Sequence, residues 1–105
     1  MDFDLGQLFQ QAQKLQTEAQ RRQEELARRE VTGQSGAGMV TAVANGRGEL
    51  LRLRFDPQAD LRDPSLLADL IVAAVNDALA RARELQQREL SQLAGPLGSI
   101  LGTGR

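Results

Sequence analysis

The dipeptide Asn45-Gly46, set between the alternating apolar runs Met39–Ala44 and Glu49–Phe55, constrains this chain most. Asn followed by Gly accepts φ > 0 at both central positions of a two-residue type I′ turn, so it predicts a β-hairpin. Upstream, Gly33, Gly36 and Gly38 punctuate another short run. The spacing therefore predicts three strands, near Glu30–Gln34, Met39–Ala44 and Glu49–Phe55, joined by turns at Ser35–Gly38 and Asn45–Gly48. In the last strand Leu51, Leu53 and Phe55 share one face, while Leu50, Arg52 and Arg54 share the other. One face is then core, and the other is wet or bound to something. The chemistry of this segment is that of folding, so function falls to the two long helices it holds.

Residues 4–29 predict the first helix. Leu5, Leu8, Ala12, Leu15, Ala19 and Leu26 recur at three- and four-residue steps, fitting heptad a and d positions of a coiled-coil-like stripe. Arg22 and Arg29 occupy later d positions and weaken the seam. At about 1.5 Å per residue this helix is close to 40 Å long, more than a three-stranded sheet covers. Part of it must project or pack on another subunit.

After a loop from Asp56-Pro57 to Asp63, Asp63 reads as an N-cap and Pro64 as the first helical residue. The second helix is expected to run to about Leu93. Its first half, Leu66–Val75, is apolar almost all round, so one side packs on the sheet and the other needs a partner. Its second half keeps a single stripe of Ala78, Leu79, Ala82, Leu85, Leu90 and Leu93. Residues 94–105, with four Gly and one Pro, read as a flexible tail. The expectation is one α+β domain over 1–93, α-β-β-β-α, with a small antiparallel sheet between two long helices. The unmatched apolar surface makes it a homodimer.

Composition excludes several functions. The chain has no Cys and no His, which removes disulfides, thiolate zinc sites and the usual neutral-pH general base. Trp and Tyr are absent, which argues against stacking of single-stranded bases. The N-terminus is acidic where a signal peptide is basic, and no apolar run reaches membrane-spanning length, so a soluble cytosolic protein is expected. Gly33, Gly36 and Gly38 are spaced G-x-x-G-x-G and lead into a strand, so they read as turn glycines rather than a phosphate loop. Asp56, Asp60, Asp63, Asp69 and Asp77 lack the alternation of a calcium loop and read as solvated charge.

The net charge of −1 at first disfavours a nucleic-acid partner, but the distribution is uneven. Residues 21–54 carry +3 and residues 81–105 carry +2, while residues 55–80 carry −4. Twelve of the thirteen cations are Arg, the better fork for phosphate oxygens. Lys14, Arg21 and Arg28 are seven apart and line one stripe of the first helix, with Arg22 and Arg29 beside it. Glu18–Arg22, Glu24–Arg28, Glu25–Arg29, Asp77–Arg81 and Glu84–Arg88 are all i,i+4 pairs, each adding about 0.2–0.5 kcal/mol, too little to keep an Arg from a phosphate. Arg83 lacks such a partner.

Several strings carry a resemblance: Val31-Thr32-Gly33-Gln34-Ser35-Gly36-Ala37-Gly38, then Asn45-Gly46-Arg47-Gly48-Glu49-Leu50, then Asp56-Pro57, and Leu70-Ile71-Val72-Ala73-Ala74-Val75-Asn76-Asp77-Ala78. Together they resemble the YbaB/EbfC family of bacterial nucleoid-associated proteins. The resemblance implies a homodimer whose helices project like the arms of tweezers, binding to double-stranded DNA, a cytoplasmic nucleoid location, no cofactor and no enzymatic activity. The motif lies in the scaffold and marks no binding residue, and this first helix has Gln and Ala where family members often carry Lys or Met. The candidate phosphate contacts are Lys14, Arg21, Arg22, Arg28 and Arg29 on the first helix and Arg81, Arg83 and Arg88 on the second. Arg47, Arg52 and Arg54 are weaker candidates. The alternative is a structural or adaptor protein whose arms grip a protein partner, for instance one serving DNA repair or recombination.

Overall fold

The computed structural model describes residues 4–101, and side chains as far as Gln92. It shows α1 (Leu5–Arg28), β1 (Glu30–Ser35), a 3-10 turn (Gly36–Gly38), β2 (Val40–Asn45), β3 (Leu50–Phe55) and α2 (Pro64–Leu101). This is the expected α-β-β-β-α order, with strands in the antiparallel order β1-β2-β3.

Both helix starts follow from capping carboxylates. The Asp4 carboxylate accepts from the N–H groups of Gly6 and Gln7, and that of Asp63 accepts from Ser65 and Leu66. The α2 helix is longer than its apolar stripe predicts, running to Leu101 rather than ending near Leu93. The segment expected to be a flexible tail is thus partly helical backbone, and its last four residues lie outside the described residues.

The core is made of small residues at close range. Val40, Ala42 and Ala44 of β2 pack on Ala74 and Ala78 of α2, with Val31, Leu53, Leu67, Leu70 and Ile71 around them. Ala74, Ala78 and Ala82 are fully buried at four-residue steps, so one row of methyl groups is all that separates helix from sheet. Gly33 sets this distance. A Cβ there would stand 2.2 Å from the Ala78 amide nitrogen and 2.5 Å from the Ala74 carbonyl oxygen. The sheet's two edges differ in consequence. The β1 edge is closed by α2, with the Gln34 N–H donating to Asp77 Oδ2 at 3.1 Å. The β3 edge is open and leaves Leu50, Leu51 and Phe55 exposed.

Two local expectations are corrected. Asn45-Gly46 does not form a two-residue type I′ turn. Asn45 is the last residue of β2, and the loop is Gly46-Arg47-Gly48, with φ +86° at Gly48 and the Gly48 N–H donating to the Asn45 carbonyl. This is a type I turn followed by a left-handed glycine, the usual three-residue hairpin. It wins because the Asn45 side chain is used locally, its Oδ1 accepting from the N–H groups of Arg47 and Glu49. The second correction concerns β3. Val43 pairs with Arg52 but Ala44 pairs with Leu50, so a bulge shifts Leu50 into register with the α2-facing side instead of the arginine face. Arg52 and Arg54 stay opposite Val43 and Thr41 on the outer face.

The radius of gyration is 20.5 Å and the extents are 73 × 34 × 18 Å, where a compact chain of this length has a radius of about 13 Å. The excess comes from two projecting arms, α1 and the distal half of α2. Leu26 is the only buried residue of α1.

Candidate nucleic-acid interface

The hairpin tip ties both arms to the body. The Gly46 N–H donates to the carbonyls of Leu26 and Arg29, both at 2.8 Å, which ties down the end of α1. The Gly46 carbonyl accepts from Gln86 Nε2 at 2.7 Å, which ties down α2. A side chain at Gly46 would meet the Leu26 carbonyl oxygen at 2.8 Å and the Leu85 side chain at 3.0 Å. Gly46 is therefore required by close approach, not by a positive φ. The carboxamide of Asn45 braces the same tip by donating to Glu49 Oε1.

From this joint the candidate cations divide into three groups. Lys14, Arg21 and Arg28 run along the exposed face of α1 as the seven-residue spacing predicts. Arg21 is paired with Glu18 at 2.6 Å, three residues away, and not Arg22 as expected. Lys14 and Arg28 have no ion pair among the described residues.

Arg22 and Arg29 form the second group and face inward. Arg29 bridges to Glu89 of α2 at 3.1 Å. Arg22 lies in an open cleft of about 500 Å³ between the arms, lined also by Ala19, Leu26, Arg47, Gln86, Glu89 and Leu90. Its Nε is buried with no hydrogen-bond partner. Arg22 faces the inter-arm cleft from its d position, while Arg29, the extended residue that ends α1, reaches across to Glu89. Arg47, a weaker candidate by sequence, is brought beside Arg22 at the cleft by the hairpin tip.

The third group lies on α2. Arg81 and Arg88 share a flank with Glu84 and line an open depression with Glu30, Val31 and Thr32 of β1. Arg81 keeps its expected partner Asp77, with Nε to Oδ2 at 3.5 Å, but the Glu24–Arg28, Glu25–Arg29 and Glu84–Arg88 pairs are absent among the described ion pairs. Arg83 is exposed and, two residues on from Arg81, turned about 200° away from it. The structure thus does not gather Arg83 with Arg81 and Arg88.

On the outer sheet face Arg52 is held by Glu30 at 2.8 and 3.2 Å, across the buried strand β2. The hydrogen bond from Arg52 pulls the Glu30 carboxyl below its ordinary range, helped by the nearby Arg54 charge, and raises the Arg52 guanidinium in turn. Arg54 is exposed beside them. In the loop before α2, Arg62 does the same to Asp60, lowering that carboxyl. Among the described residues there is no group of carboxylates able to hold a metal ion, and no helix long and apolar enough to cross a membrane.

The cations stand on projecting helices beside clefts that are open to solvent. The family model of the YbaB/EbfC DNA-binding family matches residues 1–97. The chain belongs to this family. Its members are not enzymes, in keeping with the sequence expectation. The chain is 46% identical over 102 residues to a nucleoid-associated protein of Saccharopolyspora erythraea, covering 96% of this chain and 88% of that one. It is 52% identical over 96 residues to a nucleoid-associated protein of Streptomyces avermitilis, covering 90% and 85%. Among solved structures it resembles the uncharacterized protein HP0035 from Helicobacter pylori, with TM-score 0.73 and 26% identity over 88% of this chain and 98% of that one.

Proposed function

We propose that this protein is nucleoid-associated and binds double-stranded DNA as a homodimer, with low sequence specificity, bridging or compacting the duplex in the cytoplasm. One observation carries the reading: on two projecting helices of a DNA-binding family member, Lys14, Arg28, Arg83 and Arg88 are exposed and free of ion pairs among the described residues. Arg21, Arg22, Arg29 and Arg81 add to the contacts, the first, third and fourth by exchanging a carboxylate for a phosphate. Such exposed pairs are worth about 0–1 kcal/mol, so the exchange costs little. Among the described residues no side-chain array suited to a base edge accompanies them, and the affinity is assigned to backbone phosphates.

The homodimer is supported by the apolar surface of the body. Leu66 and Val72 of α2 are 45% and 58% exposed, although Leu67, Leu70 and Ile71 between them pack against the core. With Leu50, Leu51 and Phe55 on the open edge, they are large apolar side chains left in solvent, the kind of surface that marks a contact between proteins. Light scattering at micromolar concentration is expected to return a dimer, and Val72→Glu a monomer.

Labelled duplex DNA titrated at several salt concentrations tests the DNA reading. A log–log slope of about −0.9 per neutralised phosphate is expected. A second reading, an adaptor gripping a DNA-repair or recombination protein, is favoured by the exposed Leu5, Leu8, Phe9 and Leu15 of the α1 arm. Absence of duplex binding at low salt would put that reading first.

A further inference from the structure

We propose that the inter-arm cleft is a binding site for one phosphate group, held between the guanidinium groups of Arg22 and Arg47. Both line the cleft, Arg22 from α1 and Arg47 from the hairpin tip, and Glu89 of α2 is the one carboxylate among its lining residues. That carboxylate is already engaged by Arg29 at 3.1 Å. Arg22 and Arg47 have no ion pair among the described residues, so their charge in the cleft is unmatched. Arg22 carries a further deficit, because its Nε is buried and donates to no acceptor. A buried donor on a charged group is costly to leave unpaired, and folded proteins seldom do so.

The ligand is an oxyanion because a guanidinium offers donors only. A carboxylate has two oxygens and satisfies one fork, whereas the oxygens of a phosphate accept from two forks at once. Nε is covered by the protein itself, so the Arg22 side chain turns its Nε–Nη edge into the cleft to take the oxygen. The backbones that carry the two cations are fixed before binding. The Gly46 N–H donates to the Leu26 carbonyl at 2.8 Å, one helical turn on from Arg22, and the Arg47 N–H donates to Asn45 Oδ1 at 3.0 Å. Such preorganisation lowers the cost of bringing two like charges to one ligand. The cleft, about 500 Å³, is larger than a bare phosphate ion needs and has apolar walls at Ala19, Leu26 and Leu90, so a phosphate bearing ester groups also fits. The source is thus a free phosphate or a phosphodiester of a duplex, and only the second rests on the DNA reading above. The site is distinct from the stripe of Lys14, Arg21 and Arg28, which lies outside the cleft.

The test is a titration of the full-length, nitrogen-15-labelled protein with inorganic phosphate in mildly acidic buffer, following the arginine Nε–H resonances by NMR. Arg22→Lys and Arg47→Gln assign the two signals by removing them. Arg47 is exposed, so its substitution spares the fold. The signals of Arg22 and Arg47 are expected to move along one saturating curve, while that of Arg54 on the sheet face only drifts and chloride at equal ionic strength gives no saturation. In Arg47→Gln the Arg22 signal is expected to saturate about tenfold more weakly, and in Arg22→Lys the Arg47 signal likewise, because Lys keeps the charge and loses the fork. Drift of all arginine signals alike, or an Arg22 curve unchanged by Arg47→Gln, overturns the proposal. A short duplex is then added to the phosphate-loaded protein. Displacement of phosphate from the Arg22–Arg47 pair identifies a duplex phosphodiester as the source, and phosphate retained while Arg28 shifts identifies a free phosphate. A saturable phosphate site with no arginine moved by duplex upholds the cleft and removes the DNA reading alone.

Discussion

The body and the arms of this protein are built on opposite uses of side-chain size. In the body, Gly33, Ala42, Ala44, Ala74, Ala78 and Ala82 bring backbone against backbone, and the largest side chains fully buried with them are only Val40 and Val43. On the α1 arm the large residues, Leu5, Leu8, Phe9 and Leu15, stand in solvent and the cations stand around them. A core of methyl groups yields modest burial per residue, so its stability rests on close fit. An arm with one buried residue draws its order from helix propensity, its Asp4 cap and its tie to Gly46. The fold is in this way concentrated in the body, and the proposed DNA contact falls to the arms.

The comparison breaks most visibly at Gly33. Gly33→Val forces a side chain into the α2 backbone, and a loss of about 3 kcal/mol or more is expected, read as a collapse of the urea midpoint. A stable Gly33→Val protein would mean that helix and sheet are not in the contact described. At the joint, Gly46→Ala is expected to cost about 1–3 kcal/mol, because the methyl displaces Leu26 and strains the bond that anchors α1. Hydrogen exchange sharpens this prediction. Protection should fall at the end of α1 and around Gln86 before it falls in β2. Uniform loss would place the joint inside the body's cooperative unit.

Much of the body was legible because its signals are local. The order of elements, the Asp63-Pro64 helix start and the strand limits follow from capping, proline and alternation, and each is met within a residue or two. The joint was not legible. Asn45-Gly46 has the right composition for a type I′ turn, and only the approach of Leu26 and Leu85 reveals that Gly46 is needed for space. The bulge at Leu50–Leu51 was hidden for a similar reason, since alternation reads straight through an extra residue. For the candidate site, the seven-residue stripe of Lys14, Arg21 and Arg28 was readable from helical period. The inward turn of Arg22 and Arg29 was not, because both the i,i+4 rule and the heptad frame apply to them and only the position of α2 decides between the two.

The smallest expected effect lies on the outer sheet face. Glu30 is held ionised by Arg52, so its folded-state pKa lies below its unfolded value. Its contribution to stability is present above the unfolded value and is lost as pH falls through the lowered one. Glu30→Gln should therefore flatten the acid limb of the stability curve slightly and leave neutral pH almost unchanged, a difference that added salt reduces. An equal shift at every pH would show that Glu30 acts through packing over β2 instead of charge.

Whether the arms or the sheet face hold DNA is decided by two matched charge reversals. Arg28 on α1 and Arg54 on β3 are both exposed and free of ion pairs among the described residues. Arg28→Glu and Arg54→Glu change the net charge equally, so any difference between them in duplex anisotropy across a salt series reports position. Arg28→Glu is expected to weaken binding and lower the salt slope by about 0.9, while Arg54→Glu leaves the slope at the wild-type value. A slope lost in Arg54→Glu and kept in Arg28→Glu would contradict it and place the duplex on the sheet.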